Sequence, residues 1–348
     1  MTSLDSILVT TDFSDEAHNA VRQAAFIAAR HKSRLTLLHV VDPSLLKGPR
    51  SWFAPPCTIE HKLAVAHAAL GRLAADLTEQ HDLRVSAEVL VGRPLEHVCR
   101  KAEKFDLLVI GSKHANLLKS LIFGTAAEQV LRLVRRPVLV VRQALQTHYE
   151  RVLIAVDLER EPQSMLRSAR AFAPEASLHV IHALGSQRMN RMLASDVPSA
   201  VIREVGDGER QRSRARIRSM LASIGLTGVR ISVAHGDAPQ LTVQRQQEIA
   251  ADLIVLGKDG PSALCNFLLG SVPQRVLSTA SCDVLVVPKP ALRGHAGMAS
   301  PGTWLSAGPR NALERFDALP ETATAMVPRR QRLAAGPEWR TPSEVQAA

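Results

Sequence analysis

The stretch Leu256–Val272, LGKDGPSALCNFLLGSV, carries Gly257, Gly260 and Gly270, with Ser271 directly after the last. Two glycines three residues apart let backbone N–H groups come close to an oxyanion, because no Cβ stands in the way. A Gly-Ser pair ten residues later opens a helix, whose first-turn N–H groups and positive dipole end favour an anion. The chemistry implied is phosphate binding; the plain alternative is two ordinary glycine turns. Asp259 reads either as a turn residue before glycine or as a partner for a divalent cation beside phosphates. Lys258 reads either as a phosphate contact or as a solvated lysine.

A second copy of the loop lies earlier. DLLVIGSKHANLLKSLIFGTAAEQVL at 106–131 aligns without a gap on DLIVLGKDGPSALCNFLLGSVPQRVL at 252–277. It retains Gly111, Gly124 and Thr125 but has His114 where the other copy has Gly260. The imidazole either obstructs the close approach of a phosphate or donates to an anion in a pH-sensitive way. Neither copy is a Walker A loop, and the chain holds no G-x-S-x-G elbow and no H-E-x-x-H pair. No catalytic or metal-ligating constellation stands out, and no group identifiable from the sequence would activate a water.

These loops belong to a repeat as long as a domain. SILVTTDFS at 6–14 matches RVLIAVDLE at 151–159, which sets Asp12 over Asp157 at an offset of 145. LLHVVD and VIHALG set His39 over His182, both read as strand-end packing or hydrogen-bonding groups. The offset is 146 from Asp106 onward. That period is far beyond the 20–50 residues of solenoid repeats, so two similar domains in tandem are expected, 1–143 and 150–289.

Within each half, apolar runs alternate with helical patterns. Strands are expected near 6–11, 34–41, 84–91, 106–111 and 137–142, then near 151–156, 177–184, 228–235, 252–257 and 283–287. First-half helices are expected at 15–31, 58–81, 94–103 and 125–134, the first capped by Asp12 or Ser14. Near-continuous apolar strands separated by helices imply α/β architecture: two tandem doubly wound parallel five-stranded sheets with helices on both faces. In the order 3-2-1-4-5 the first and fourth strands flank the switch point, so each aspartate and its glycine loop face one crevice. The 42–62 insert, with Trp52 and Phe53, reads as a long loop. The 291–348 segment, rich in Pro, Gly, Ala and Arg, reads as a flexible tail with one short helix near NALERFDAL.

Composition narrows the function. The 348 residues include 46% hydrophobic and only 3% aromatic side chains, which disfavours stacking platforms for single-stranded nucleic acid. The net charge of +10 is spread over scattered arginines, so nucleic acid is not the expected partner. Cys57, Cys99, Cys265 and Cys282 show no C-x-x-C spacing and read as free thiols, with Cys99 and Cys282 buried. An acidic N-terminus and the lack of an 18-residue apolar run predict a cytoplasmic protein without a membrane partner.

VTTDFS, LLHVVD, the G-x-P of VGRPLEHV, and the endings FGTAAEQVL and LGSVPQRVL resemble the universal stress protein family across both halves. The ATP-binding form of that family has the pattern G-x2-G-x9-G-[S/T], complete here only at Gly257, Gly260, Gly270 and Ser271. The resemblance implies that Asp157 lies near the adenosine, that Ala183 touches the base, and that Leu256 and Val272 flank it. In the first half it implies an altered site at Asp12, Val40, Gly111, His114, Gly124 and Thr125. ATP, with Mg²⁺ beside its phosphates, is the implied cofactor, and a stress-responsive nucleotide sensor the implied function. The rivals are an interaction protein with decayed pockets, recognising an unknown protein partner, and a slow ATPase. Family members dimerise through the last strand. Here Val138–Val141 would pair with Val284–Val287 as an intrachain pseudo-dimer, with a homodimer as a further step.

Overall fold

The computed structural model describes residues 4–46, 59–111, 126–144, 148–160, 162–195, 197–258 and 269–288. The first half runs β1 (Ser6–Thr10), α1 (Asp15–His31), β2 (Arg34–Val41), α2 (Ile59–His81), β3 (Val85–Val91), α3 (Pro94–Ala102), β4 (Leu107–Gly111), α4 (Ala126–Leu133) and β5 (Val138–Val141). The second half runs β6 (Arg151–Ala155), α5 (Gln163–Phe172), β7 (Ser177–Leu184), α6 (Gln187–Leu193), α7 (Ser199–Ser223), β8 (Arg230–His235), α8 (Ala238–Glu248), β9 (Leu253–Lys258), α9 (Ser271–Thr279) and β10 (Asp283–Pro288).

Each half has the expected order 3-2-1-4-5, with parallel neighbours. The two five-stranded halves are joined along their last strands, as the expected Val138–Val141 and Val284–Val287 pairing requires. β5 and β10 pair antiparallel, Leu139 opposite Leu285, and fuse the halves into one ten-stranded sheet, β3-β2-β1-β4-β5-β10-β9-β6-β7-β8. Both strands are short and apolar, and pairing satisfies backbone groups that two separate sheets would leave exposed. The edge that would recruit a second chain is thereby used within one chain, and β3 and β8 become the outer edges.

Strand residues alternate between two cores. Ile7, Val9, Leu107, Val109, Val152 and Ile154 pack with α1, α2, α5 and α7 on one face. Leu8, Leu108, Val140, Ile254, Leu256 and Val284 pack with α3, α4, α8 and α9 on the other. Both cores run across the junction, as burial on both sheet faces requires.

Local devices fix where the loops leave the sheet. Ser14, not Asp12, caps α1: its Oγ accepts from Ala17 N–H at 3.3 Å, and Asp12 Oδ1 accepts from Ser14 N–H at 3.0 Å. Asp106 accepts from Ser6 N–H and Ser6 Oγ at 2.9 and 2.8 Å, stapling the start of β4 to β1. Its repeat counterpart Asp252 does the same for β9 and β6, accepting from Glu150 and Arg151 N–H at 2.7 and 3.2 Å. Gly111 has a packing reason: a Cβ there would sit 2.7 Å from the Glu16 carbonyl oxygen at the start of α1.

The junction is polar as well as apolar. Asp283, 1% exposed, accepts from Arg142 N–H at 2.7 Å, Gln143 N–H at 3.2 Å and Tyr149 OH at 2.8 Å. Tyr149 lies against Phe172, ring centroids 5.7 Å apart. One connecting segment is thus tied to both the last strand and α5. The 291–348 tail, with its expected helix, and Trp52 and Phe53 lie outside the described residues, as do Cys57 and Cys265. Cys99 and Cys282 are free thiols, half-buried and buried, and burial pushes them up to about 11 and about 12 respectively.

Candidate functional site

At the carboxyl ends of β6, β7 and β9 the second half holds a cleft of about 280 Å³. Its walls include Ala155, Asp157, Ala183, Leu256, Gly257 and Val272. Topology puts them there: Asp157 follows the end of β6 by two residues, β7 carries Ala183, Gly257 is the penultimate residue of β9, and α9 brings Val272. Five of the residues singled out from sequence in this half therefore share one cavity. Gly270 and Ser271 stand beside it at the start of α9; Gly260 lies outside the described residues, as does Asp259.

Among the described residues, no side chain caps the start of α9. Its N-cap is Gly270, which has no side chain to accept from the first-turn N–H groups. An anion is the natural acceptor for such donors. Small side chains at Ala155 and Ala183 line the cleft wall at the ends of β6 and β7. Its back is held by His182, whose Nδ1 donates to the Val156 carbonyl at 2.9 Å. Asp157 sits at the rim, its Oδ1 accepting from Glu159 N–H at 3.0 Å and its Oδ2 paired with Arg160 at 3.0 Å. Among the described residues, a Cβ at Gly257 would meet Met165 Sδ alone, at 3.6 Å.

Lys258 corrects both sequence readings. It points neither into the cleft nor into solvent. Its ammonium crosses the junction and donates to the carbonyls of Val134, at 2.9 Å, and Arg132. These carbonyls lie at the end of α4, where a cation also meets the negative dipole end. Burial lowers the Lys258 amine to about 8, partly opposed by the Glu103 carboxylate. The sign of the pH effect follows. The folded chain binds fewer protons at Lys258 than the unfolded chain between about 8 and the ordinary lysine value of 10.5. Stability from this group therefore rises with pH through that window and is lost below it. Urea unfolding at pH 7.5 and pH 10 should show the midpoint of the native chain moving up relative to that of Lys258→Met. A constant difference would remove this assignment.

The first half presents a different cleft of about 920 Å³. Asp12, Val40 and Ile110 line it, and Val40 stands where the second half has Ala183. His39 Nδ1 donates to the Thr11 carbonyl at 2.8 Å, the counterpart of the His182 bond. Gly111 ends β4, while His114, Gly124 and Thr125 lie outside the described residues. Sequence reasoning missed Phe13, which also lines this cleft. Its φ of 63° is rare for a bulky residue and gave no sign in the sequence.

The model of the universal stress protein family matches residues 4–142 and again 148–288. A universal stress protein of Mycolicibacterium smegmatis is 28% identical over 312 residues, covering 81% of this chain and 96% of its own length. One from Mycobacterium tuberculosis H37Rv is 26% identical over 299 residues, with 80% and 95% covered. The crystal structure of a universal stress protein from Archaeoglobus fulgidus superposes with a TM-score of 0.61 at 19% identity, covering 83% of this chain and 97% of that one. At that identity the structural match speaks to the fold alone.

Proposed function

This chain belongs to the universal stress protein family as a tandem member, and from that premise we propose that its second half binds ATP, with Mg²⁺ beside the phosphates. The observation that carries the proposal is the convergence of Asp157, Ala183, Leu256, Gly257 and Val272 on one cleft beside an α9 start without a side-chain cap. Adenine would lie against Ala183, Leu256 and Val272, the ribose near Asp157. The phosphates would run toward Gly257, Gly260 and the N–H groups after Gly270.

The proposed role is sensing rather than turnover, in a cytoplasmic stress response acting through an adenine nucleotide. Among the described residues lining the cleft, Asp157 and Arg160 are charged and paired with each other, which leaves neither placed to activate water. The repeat supports one ATP per chain: His114 replaces the middle glycine in the first loop, and Val40 replaces Ala183 in the first cleft. Calorimetric titration of the intact chain with ATP and Mg²⁺ tests this. One saturable equivalent is expected; no heat of binding overturns the reading.

A further inference from the structure

The first-half cleft is built for a different ligand from the second. We propose that it binds a carboxylate with a long apolar body, of the fatty-acid class. This reading stands independently of nucleotide binding in the second half.

Size and lining come first. At about 920 Å³ against 280 Å³, this cleft is at the upper end of ligand-pocket sizes. Leu38 and Val40 of β2 and Ile110 of β4 form its floor, and Leu95 and Val98 of α3 a side wall. The facing wall is one stripe of α2: Lys62, Val65, Ala66 and Ala69, at helical spacings i, i+3, i+4 and i+7. Three of these are apolar, and Val65 remains 54% exposed. An apolar ligand would cover surface that is otherwise left to water.

Phe13 forms a further wall. Its backbone sits at φ 63° and its N–H donates to Thr11 Oγ1 at 3.0 Å. The ring leans on His39, centroids 4.7 Å apart and planes at 44°. An unfavourable backbone angle thus holds an aromatic face at the strand ends, and such strain clusters at ligand sites.

The charges at the cleft divide by availability. Asp12 and Asp42 accept from the backbone of their own turns, from Ser14 N–H at 3.0 Å and Ser44 N–H at 2.8 Å. His39 is bonded to Thr11. Among the described residues, no hydrogen bond or ion pair engages the Lys62 ammonium. It lies at the N-terminal end of the apolar stripe, as a carboxylate head with its tail along α2 requires.

The experiment titrates the full chain with dodecanoate and, separately, with dodecanol. One equivalent of dodecanoate is expected. Ala66→Trp, which fills the cleft, should weaken it at least tenfold and leave the ATP titration unchanged. Val65→Asp, at an exposed position that folding tolerates, should weaken both ligands. Lys62→Glu should weaken dodecanoate at least fivefold and leave dodecanol within twofold. The proposal is overturned by absence of saturable uptake, by uptake indifferent to Ala66→Trp and Val65→Asp, or by equal losses of both ligands in Lys62→Glu. Mole-for-mole displacement by ATP would also overturn it and assign the cleft to a nucleotide.

Discussion

Asp283→Ala lowers the unfolding free energy by about 3 kcal/mol, since each buried donor left without an acceptor costs roughly 1–3 kcal/mol. The carboxylate accepts from Arg142 N–H, Gln143 N–H and Tyr149 OH, and its removal takes this shared acceptor from all three at the junction of the halves. The loss is not the full sum, because the carboxylate carries a cost of its own. Burial holds it above the ordinary aspartate value, against the opposing pull of those same donors. Asn keeps one acceptor oxygen and sheds the buried charge, so Asp283→Asn should be much milder. At roughly 2–4 °C per kcal/mol for chains of this order, the alanine variant should melt about 6–12 °C lower. Scanning calorimetry on the two variants checks the order. Equal melting temperatures for Ala and Asn would mean that the hydrogen bonds do not hold the junction.

Ala183→Trp weakens ATP binding by at least ~100-fold, equivalent to about 2.7 kcal/mol. Ala183 lies on the wall of a cleft of about 280 Å³, so an indole there occupies the space proposed for the base. The fold should tolerate it, because the residue is only half-buried and its first-half counterpart is the larger Val40. Val40→Trp supplies the control, with ATP affinity expected to stay within twofold. Calorimetric titration of both variants measures the contrast. A reversed contrast would assign the nucleotide to the first half.

Much of this architecture is legible in the residues. Apolar runs ending at Asp12 and Asp157, and at Gly111 and Gly257, mark the strands of each half, and the order 3-2-1-4-5 places them at one crevice. The apolar ends VLVV and VLVVP anticipate the β5–β10 pairing. What the sequence hides is contact between distant positions. Lys258 looks like a loop residue because its acceptors at Arg132 and Val134 belong to the other half.

A signal for such residues was nevertheless present. Lys258 replaces Ser112 at the repeat offset, and Asp283 replaces Pro137. Both departures fall at the junction, where the two halves face each other and need not be alike. Phe13 has no comparable mark, since its backbone angle arises from the Thr11–Ser14 turn. The separation in character between the clefts follows from Val40 and Ala183, and from α2 supplying a wall in the first half only.

The central claim is that ATP occupies the second-half cleft and not the first. Photolabelling of the intact chain with 8-azido-ATP and Mg²⁺, followed by peptide mapping, tests it most directly. The account predicts label on peptides holding Ala183, Leu256 or Val272, removed by excess ATP. Label on peptides holding Val40 or Ile110, removed in the same way, would contradict it.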